Sequence, residues 1–176
     1  MANAAQPTTG SVKLPKSLST EVVKTLTSRI ADEYTAHYFY QNAANWCNNV
    51  GYLKAAAFFT AEASAELEHS NILQKYLTDW NVQPELPSVP TKATFTSLVD
   101  VIEQAYDLEY NLLNKYTEDS RLLFGIDLIT FDFLGQFRAI QMDSVVEYSD
   151  LLNALALIDI DSRLDLLHFE EMYMGE

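Results

Sequence analysis

Glu33, the pair Glu66 and His69, Glu109, and Gln141 interrupt the apolar stripes of four helix-length segments. Helical periodicity assigns each of them to the buried face of its segment. Acidic side chains are almost never fully buried unless they are paired or hold a metal. In Glu66-Leu67-Glu68-His69, residues three apart share a helix face, so Glu66 and His69 aim at one point while Glu68 faces away. Hard carboxylates with an imidazole suit iron or manganese, and the lack of a nearby cysteine argues against a structural zinc site. Alone, a Glu-x-x-His pair occurs often by chance. Joined by Glu33 and Glu109 on the buried stripes of other segments, it points to a metal site inside a helix bundle. Without a cation, three clustered carboxylates would repel one another and some would stay protonated.

The elements that must position these residues follow from the same periodicity. From about Ser19, apolar residues recur at Val23, Leu26 and Ile30, then at His37, Tyr40, Ala44 and Cys47, with Glu33 in register. This predicts a helix to about Asn49, ended by Gly51. A second helix, Tyr52 to Trp80, carries Ala55, Phe59, Leu73 and Tyr76 around Glu62, Glu66 and His69. The stretch QPELPSVPTKAT holds three prolines and is too long for a hairpin loop of about 2–8 residues. Its length suits a crossover along a bundle, which makes the flanking helices parallel. A third helix from about Phe95 or Ser97 shows Leu98, Val101, Ile102, Ala105 and Leu112, with Glu109 in register. After a turn near Gly125, a fourth runs through Leu134, Phe137, Val145, Tyr148, Leu152 and Leu155, with Gln141 in register. Asp159 and Asp161 are expected to cap a short fifth helix, SRLDLLHFEEMY, with Leu164, Leu167 and Met172 as its apolar residues. The expected organisation is a flexible arm over 1–17, a four-helix bundle over 18–158, and a short fifth helix and tail over 159–176. Glu33 and Glu66 lie 33 residues apart, Glu109 and Gln141 lie 32 apart. Two pseudo-symmetric helix hairpins would therefore bring the four polar positions to one level.

Composition narrows the function classes. A chain of 176 residues with a hydrophobic fraction of 48% can bury a real core. Its net charge of −14 argues against nucleic acid, which wants a basic surface, and reads either as a means of solubility or as a field that concentrates cations. One cysteine, Cys47, excludes an internal disulfide framework and reads as a small buried hydrophobe. No stretch approaches the roughly 18 uncharged apolar residues of a membrane span, and the N-terminal residues lack the apolar core of a secretory signal. A soluble, cytoplasmic protein is the expectation.

The stretches DEYTAHYFYQNAANWC, AAAFFTAEASAELEH, AYDLEYN and FDFLGQFRAIQ resemble the non-haem ferritins, over about Leu18 to Leu157. The ferritin-like class has a Glu on each of two helices and Glu-x-x-His motifs on the others. The resemblance implies an all-α, ferritin-like four-helix bundle with a long crossover between its second and third helices and a short fifth, C-terminal helix. It implies that Glu33 and His69 are terminal ligands of a first iron, Glu66 bridges, Glu109 is the terminal carboxylate of a second iron, and Gln141 is a nearby amide or weak ligand. Tyr40 matches a tyrosine beside the family's site, as an electron donor or hydrogen-bond partner.

Departures define the subtype. Bacterioferritins carry Glu-x-x-His on the fourth helix, whereas this chain has Gln141 and Ser144, and their haem-binding Met falls at Leu67, so no haem is expected. Of the acids that form a third iron site in many bacterial relatives, at positions matching Ala65, Ile140, Asp143 and Ser144, only Asp143 is present. The resemblance thus implies a ferroxidase that takes two Fe per subunit, oxidises Fe(II) with O₂ or peroxide, and stores Fe(III) mineral in a homo-oligomeric, 24-subunit cage. The fifth helix would close fourfold contacts, and Asp127 and Asp132 would lie at threefold channels. Glu62 reads as an iron stepping stone or a solvent-facing acid, His37 as a hydrogen-bonded core residue, and His168 as an exposed or interface residue. Two other readings compete: a catalytically weak ferritin-like protein that binds metal or assembles, and a non-storage di-iron oxidase of the same fold.

Overall fold

A computed structural model describes residues 13–175. Most of the expected N-terminal arm, residues 1–12, lies outside the described residues. The end of the arm is tied down: the Ser17 hydroxyl donates to the Trp80 carbonyl at 3.0 Å. The chain forms α1 (Thr20–Val50), α2 (Leu53–Asp79), α3 (Leu98–Phe124), α4 (Leu128–Phe133), α5 (Gly135–Leu155) and α6 (Arg163–Tyr173), with no strand among the described residues.

Local chemistry sets the ends of these helices. Ser19, Ser97, Asp127 and Ser162 accept hydrogen bonds from the backbone N–H three residues on, satisfying donors that a first turn leaves free. Ser162, not Asp159 or Asp161, therefore caps α6. Asp159 instead accepts from the Asp161 backbone at 3.0 Å. Gly51 ends α1 at φ 93°, and the N–H groups of Gly51 and Tyr52 both return to the Cys47 carbonyl.

The expected fourth helix is two segments joined without loss of register. Leu134 donates to the Thr130 carbonyl at 3.0 Å and Arg138 to that of Leu134 at 3.1 Å, so the bend is local. Gly135 follows it, and the Arg138 guanidinium donates to the Phe131 carbonyl at 3.4 Å, an acceptor that the bend frees.

The α1–α2 and α4/α5–α3 hairpins pack into an antiparallel bundle. Contacts pair Arg29 with Asp119, Glu33 with Tyr116, and Tyr40 with Glu109, so α1 and α3 run in opposite directions. Residues 80–97 connect α2 to α3 without helix. A helix of 27 residues is about 40 Å long at 1.5 Å per residue. An extended chain covers that distance in roughly a dozen residues at 3.3 Å each, so the connection is long enough to return the full length of the bundle.

Two separate apolar clusters fill the interior. One holds Ala36, Tyr40, Phe59, Ala63, Ala105 and Tyr148, and the other Ile30, Leu73, Leu112, Tyr116 and Phe137. On every long helix the polar position falls between them: Glu33 between Ile30 and Ala36, Glu66 between Ala63 and Leu73, Glu109 between Ala105 and Leu112, Gln141 between Phe137 and Tyr148. The core is thus two dry blocks with one polar layer.

The tail helix turns inward a different face from the one that carries Leu164, Leu167 and Met172. Leu166, Phe169, Glu170 and Met174 are buried, while Leu164 is 75% and Met172 63% exposed. Glu170 explains the choice. Tyr52, at the start of α2, offers no side-chain cap, and the Glu170 carboxylate accepts from the Lys54 and Ala55 N–H groups at 3.1 and 3.0 Å. A carboxylate at a helix N-terminus also meets the positive end of its dipole. Glu170→Ala should lose two charge-assisted bonds, about 3 kcal/mol. The expected fall in thermal midpoint is about 6–12 °C, read by circular dichroism, with Glu170→Gln falling less.

Candidate metal centre

Donor atoms of Glu33, Glu66 and His69 lie within 4.8 Å of one another. His69 Nδ1 stands 3.0 Å from Glu66 Oε2 and 3.6 Å from Glu33 Oε2. Glu33, Glu109 and Gln141 are fully buried and Glu66 is 3% exposed. His69 reaches the same layer from α2 and meets the edge of Phe137, one turn before Gln141 on α5, with ring centroids 6.1 Å apart.

Each outer carboxylate is held by a phenol from the opposite helix. Tyr40 on α1 donates to Glu109 Oε1, and Tyr116 on α3 donates to Glu33 Oε1. The second oxygens, Glu33 Oε2 and Glu109 Oε2, are buried without a hydrogen-bond partner, as are both ends of the Gln141 amide. A buried polar group without a partner costs about 1–3 kcal/mol. Three of these four atoms are oxygens, on three helices and in one layer of an otherwise apolar core, and with the His69 imidazole beside them they form a donor set that fits a hard cation.

The electrostatics point the same way. Burial pushes Glu66 well above the usual carboxylate range; its bond to His69 opposes this, and the charges of Glu33 and Glu109 add to it. Glu109 rises to about 7 through burial, opposed by the Tyr40 bond and assisted by Glu33 and Glu62. Burial alone would favour neutral His69, but the carboxylates of Glu33 and Glu66 outweigh it and raise the imidazole to about 10. Protons thus take the share of charge compensation that a cation would take.

Beyond Glu109, Tyr40 stacks between Phe59 and Tyr148, with centroids 6.1 Å away on each side. Burial keeps the Tyr40 phenol protonated and therefore a donor. Glu62, one turn before Glu66, is half-buried, and it accepts from the Tyr148 hydroxyl at 3.4 Å. Burial and then the charge of Glu147 raise it to about 7. His37 is half-buried and hydrogen-bonded, with Nδ1 2.6 Å from the Ala63 carbonyl. Asp143 and His168 are exposed. Asp127 caps α4 by accepting from the Thr130 N–H at 3.0 Å.

Tyr116 and Arg29 were not among the sequence candidates. One signal could have found Tyr116: it follows Glu109 by seven residues, as Tyr40 follows Glu33. Arg29 is a buried cation one turn before Glu33, paired with Asp32 at 3.0 Å and Asp119 at 3.4 Å. Nothing in its local sequence pattern separates it from a surface arginine.

The sequence model of the ferritin-like domain matches residues 23–158. A bacterial non-heme ferritin of Campylobacter jejuni is 32% identical over 143 residues, 80% of this chain and 86% of that protein. One from Staphylococcus aureus is 24% identical over 157 residues, 88% of this chain and 95% of that protein. Among solved structures, a closed form of the Archaeoglobus fulgidus ferritin, made by site-directed mutagenesis, superposes with a TM-score of 0.85 at 20% identity. It covers 91% of this chain and 98% of that one, a likeness of fold.

Proposed function

The chain belongs to the ferritin family, and we propose that it is a ferroxidase that oxidises Fe(II) at a di-iron centre and stores Fe(III) as mineral inside an oligomeric cage. The observation that carries this reading is the polar layer between two apolar clusters, with buried carboxylate oxygens that accept no hydrogen bond within the protein.

In this reading Glu33 and His69 would hold a first iron, and Glu66 would be shared with a second. Glu109 holds the second, and Gln141 supplies an uncharged amide. Both positions have one terminal carboxylate, and an amide oxygen is a weaker donor than an imidazole nitrogen, so the second position would hold its iron less tightly, which suits an iron that must move on. Each Fe(II) gives one electron, so two reduce dioxygen to the peroxide level with uptake of two protons. The protein contributes negative charge that favours Fe(III), apolar walls that limit water, and Tyr40 as a donor that orients Glu109. The net charge of −14 concentrates cations around the chain. The exposed Leu164 and Met172 on α6 give it an apolar face suited to contact between subunits in a 24-subunit cage. Among the described residues no helix is long and apolar enough to cross a membrane, in keeping with a cytoplasmic store.

Two measurements test this. Light scattering should find an assembly of two dozen 19.9 kDa subunits. Anaerobic Fe(II) loading followed by oxygen should consume about two irons per subunit in a fast phase, then grow mineral. A cage with no fast phase would favour a catalytically weak assembly protein. A small oligomer that oxidises iron without retaining it would favour a non-storage oxidase.

A further inference from the structure

The two phenols that grip the outer carboxylates are placed by one rule. Tyr40 lies seven residues after Glu33 and reaches Glu109, and Tyr116 lies seven residues after Glu109 and reaches Glu33. Seven residues is close to two helical turns, so each tyrosine shares the carboxylate's face of its own helix and crosses to the other. We propose that Tyr116 is the positioning residue of Glu33, fixing which oxygen that carboxylate presents to the first metal position, while Tyr40 does the same for Glu109 at the second. This rests on the di-iron reading given above.

The geometry around Tyr116 is that of a fixed support. Its ring stacks on Phe137 with centroids 5.1 Å apart and planes 9° from parallel. The Arg29 guanidinium lies 5.9 Å from its ring centroid and is itself held by Asp32 and Asp119. The phenol occupies Glu33 Oε1, leaving Oε2 without a hydrogen-bond partner on the side of His69. A carboxylate gripped by one oxygen offers a cation the other in a defined direction. Without the phenol, Glu33 is free to rotate or to chelate through both oxygens. The surroundings of the two phenols differ: Tyr116 has a cation near its ring, whereas Tyr40 lies between Phe59 and Tyr148. The two supports therefore act on their own metal positions rather than on the site as a whole.

The test is a Co(II) titration of the assembled protein, followed by visible absorption and needing no turnover. The parent should take up two cobalt ions per subunit in two resolvable phases, assigned by which phase is lost in Glu33→Gln and which in Glu109→Gln. Tyr116→Phe keeps the ring on Phe137 and removes only the hydroxyl. It should weaken the Glu33 phase about 10–100-fold, the usual cost of losing an outer-shell partner, and leave the Glu109 phase unchanged. Tyr40→Phe should do the reverse. A Tyr116→Phe protein with both phases as in the parent overturns the assignment. So does one that weakens both equally or fails to fold, which would make Tyr116 a general support of the core. A parent that takes up no cobalt overturns the metal-centre reading and this inference with it.

Discussion

Glu66→Gln is expected to remove the fast phase of iron oxidation, slowing it by at least about 100-fold, while the metal-free protein stays as stable as the parent. The rate effect should exceed the 10–100-fold that follows loss of an outer-shell partner, because in the proposed centre Glu66 is the one carboxylate that both metals would share. A glutamine keeps the volume but presents one oxygen and one NH₂ group, which donates and cannot bridge two cations. The stability effect follows from the protonation state. Burial raises Glu66 well above the ordinary carboxylate range, so the metal-free fold disfavours a charge there. Gln carries none, and the thermal midpoint should move by no more than a few degrees. Glu68, two residues on and exposed, is the control: Glu68→Gln should oxidise iron at the parent rate. Stopped-flow absorbance after mixing with two Fe(II) per subunit measures the first effect and a melt the second. A fast phase that survives in Glu66→Gln would remove this residue from the centre.

The polar layer was legible in the sequence because a glutamate in an apolar register is costly unless something compensates it. Glu33, Glu66, Glu109 and Gln141 all stand where periodicity puts them, on four bundle helices, and the crossover follows from its length and its prolines. What periodicity could not show are relations between distant residues. Tyr116 reads as one more core aromatic until its hydroxyl is seen on a carboxylate 83 residues away. Arg29 is buried because Asp119 on another helix meets it. The inward face of α6 is set by Glu170, which is drawn in by two N–H groups more than a hundred residues earlier. Local hydrophobicity favoured Leu164, Leu167 and Met172, and it carries no information about an uncapped helix start elsewhere. The break at Leu134 was likewise hidden, since apolar residues recur at helical spacing on both sides of it.

The metal-free protein should lose stability as the pH rises, while the stabilisation contributed by a cation should grow. Glu109 stands at about 7 when folded, against roughly 4.3 in an unfolded chain, and Glu66 is displaced in the same direction. Between those values the folded state binds more protons than the unfolded one. The contribution of Glu109 is complete below about pH 4.3, declines as the pH rises from there and is lost once it passes about 7, and that of Glu66 declines from the same lower limit. His69 has the same sign: its imidazole is at about 10 when folded, against roughly 6.5 unfolded. Its contribution is full below about pH 6.5 and is lost toward pH 10. The repulsion of a chain with net charge −14 also grows with pH, so the slope alone does not isolate the site. The doubly substituted Glu66→Gln, Glu109→Gln chain does, because its melting temperature should fall less steeply between pH 5 and 8 than the parent's. A cation must expel the same protons. If two leave on binding, Co(II) affinity should rise by about 100-fold per pH unit in the window where both groups hold protons. Cobalt should therefore raise the melting temperature little at pH 5.5 and strongly at pH 8. A Co(II) affinity independent of pH across that range would mean that the buried carboxylates and His69 do not take up the cation.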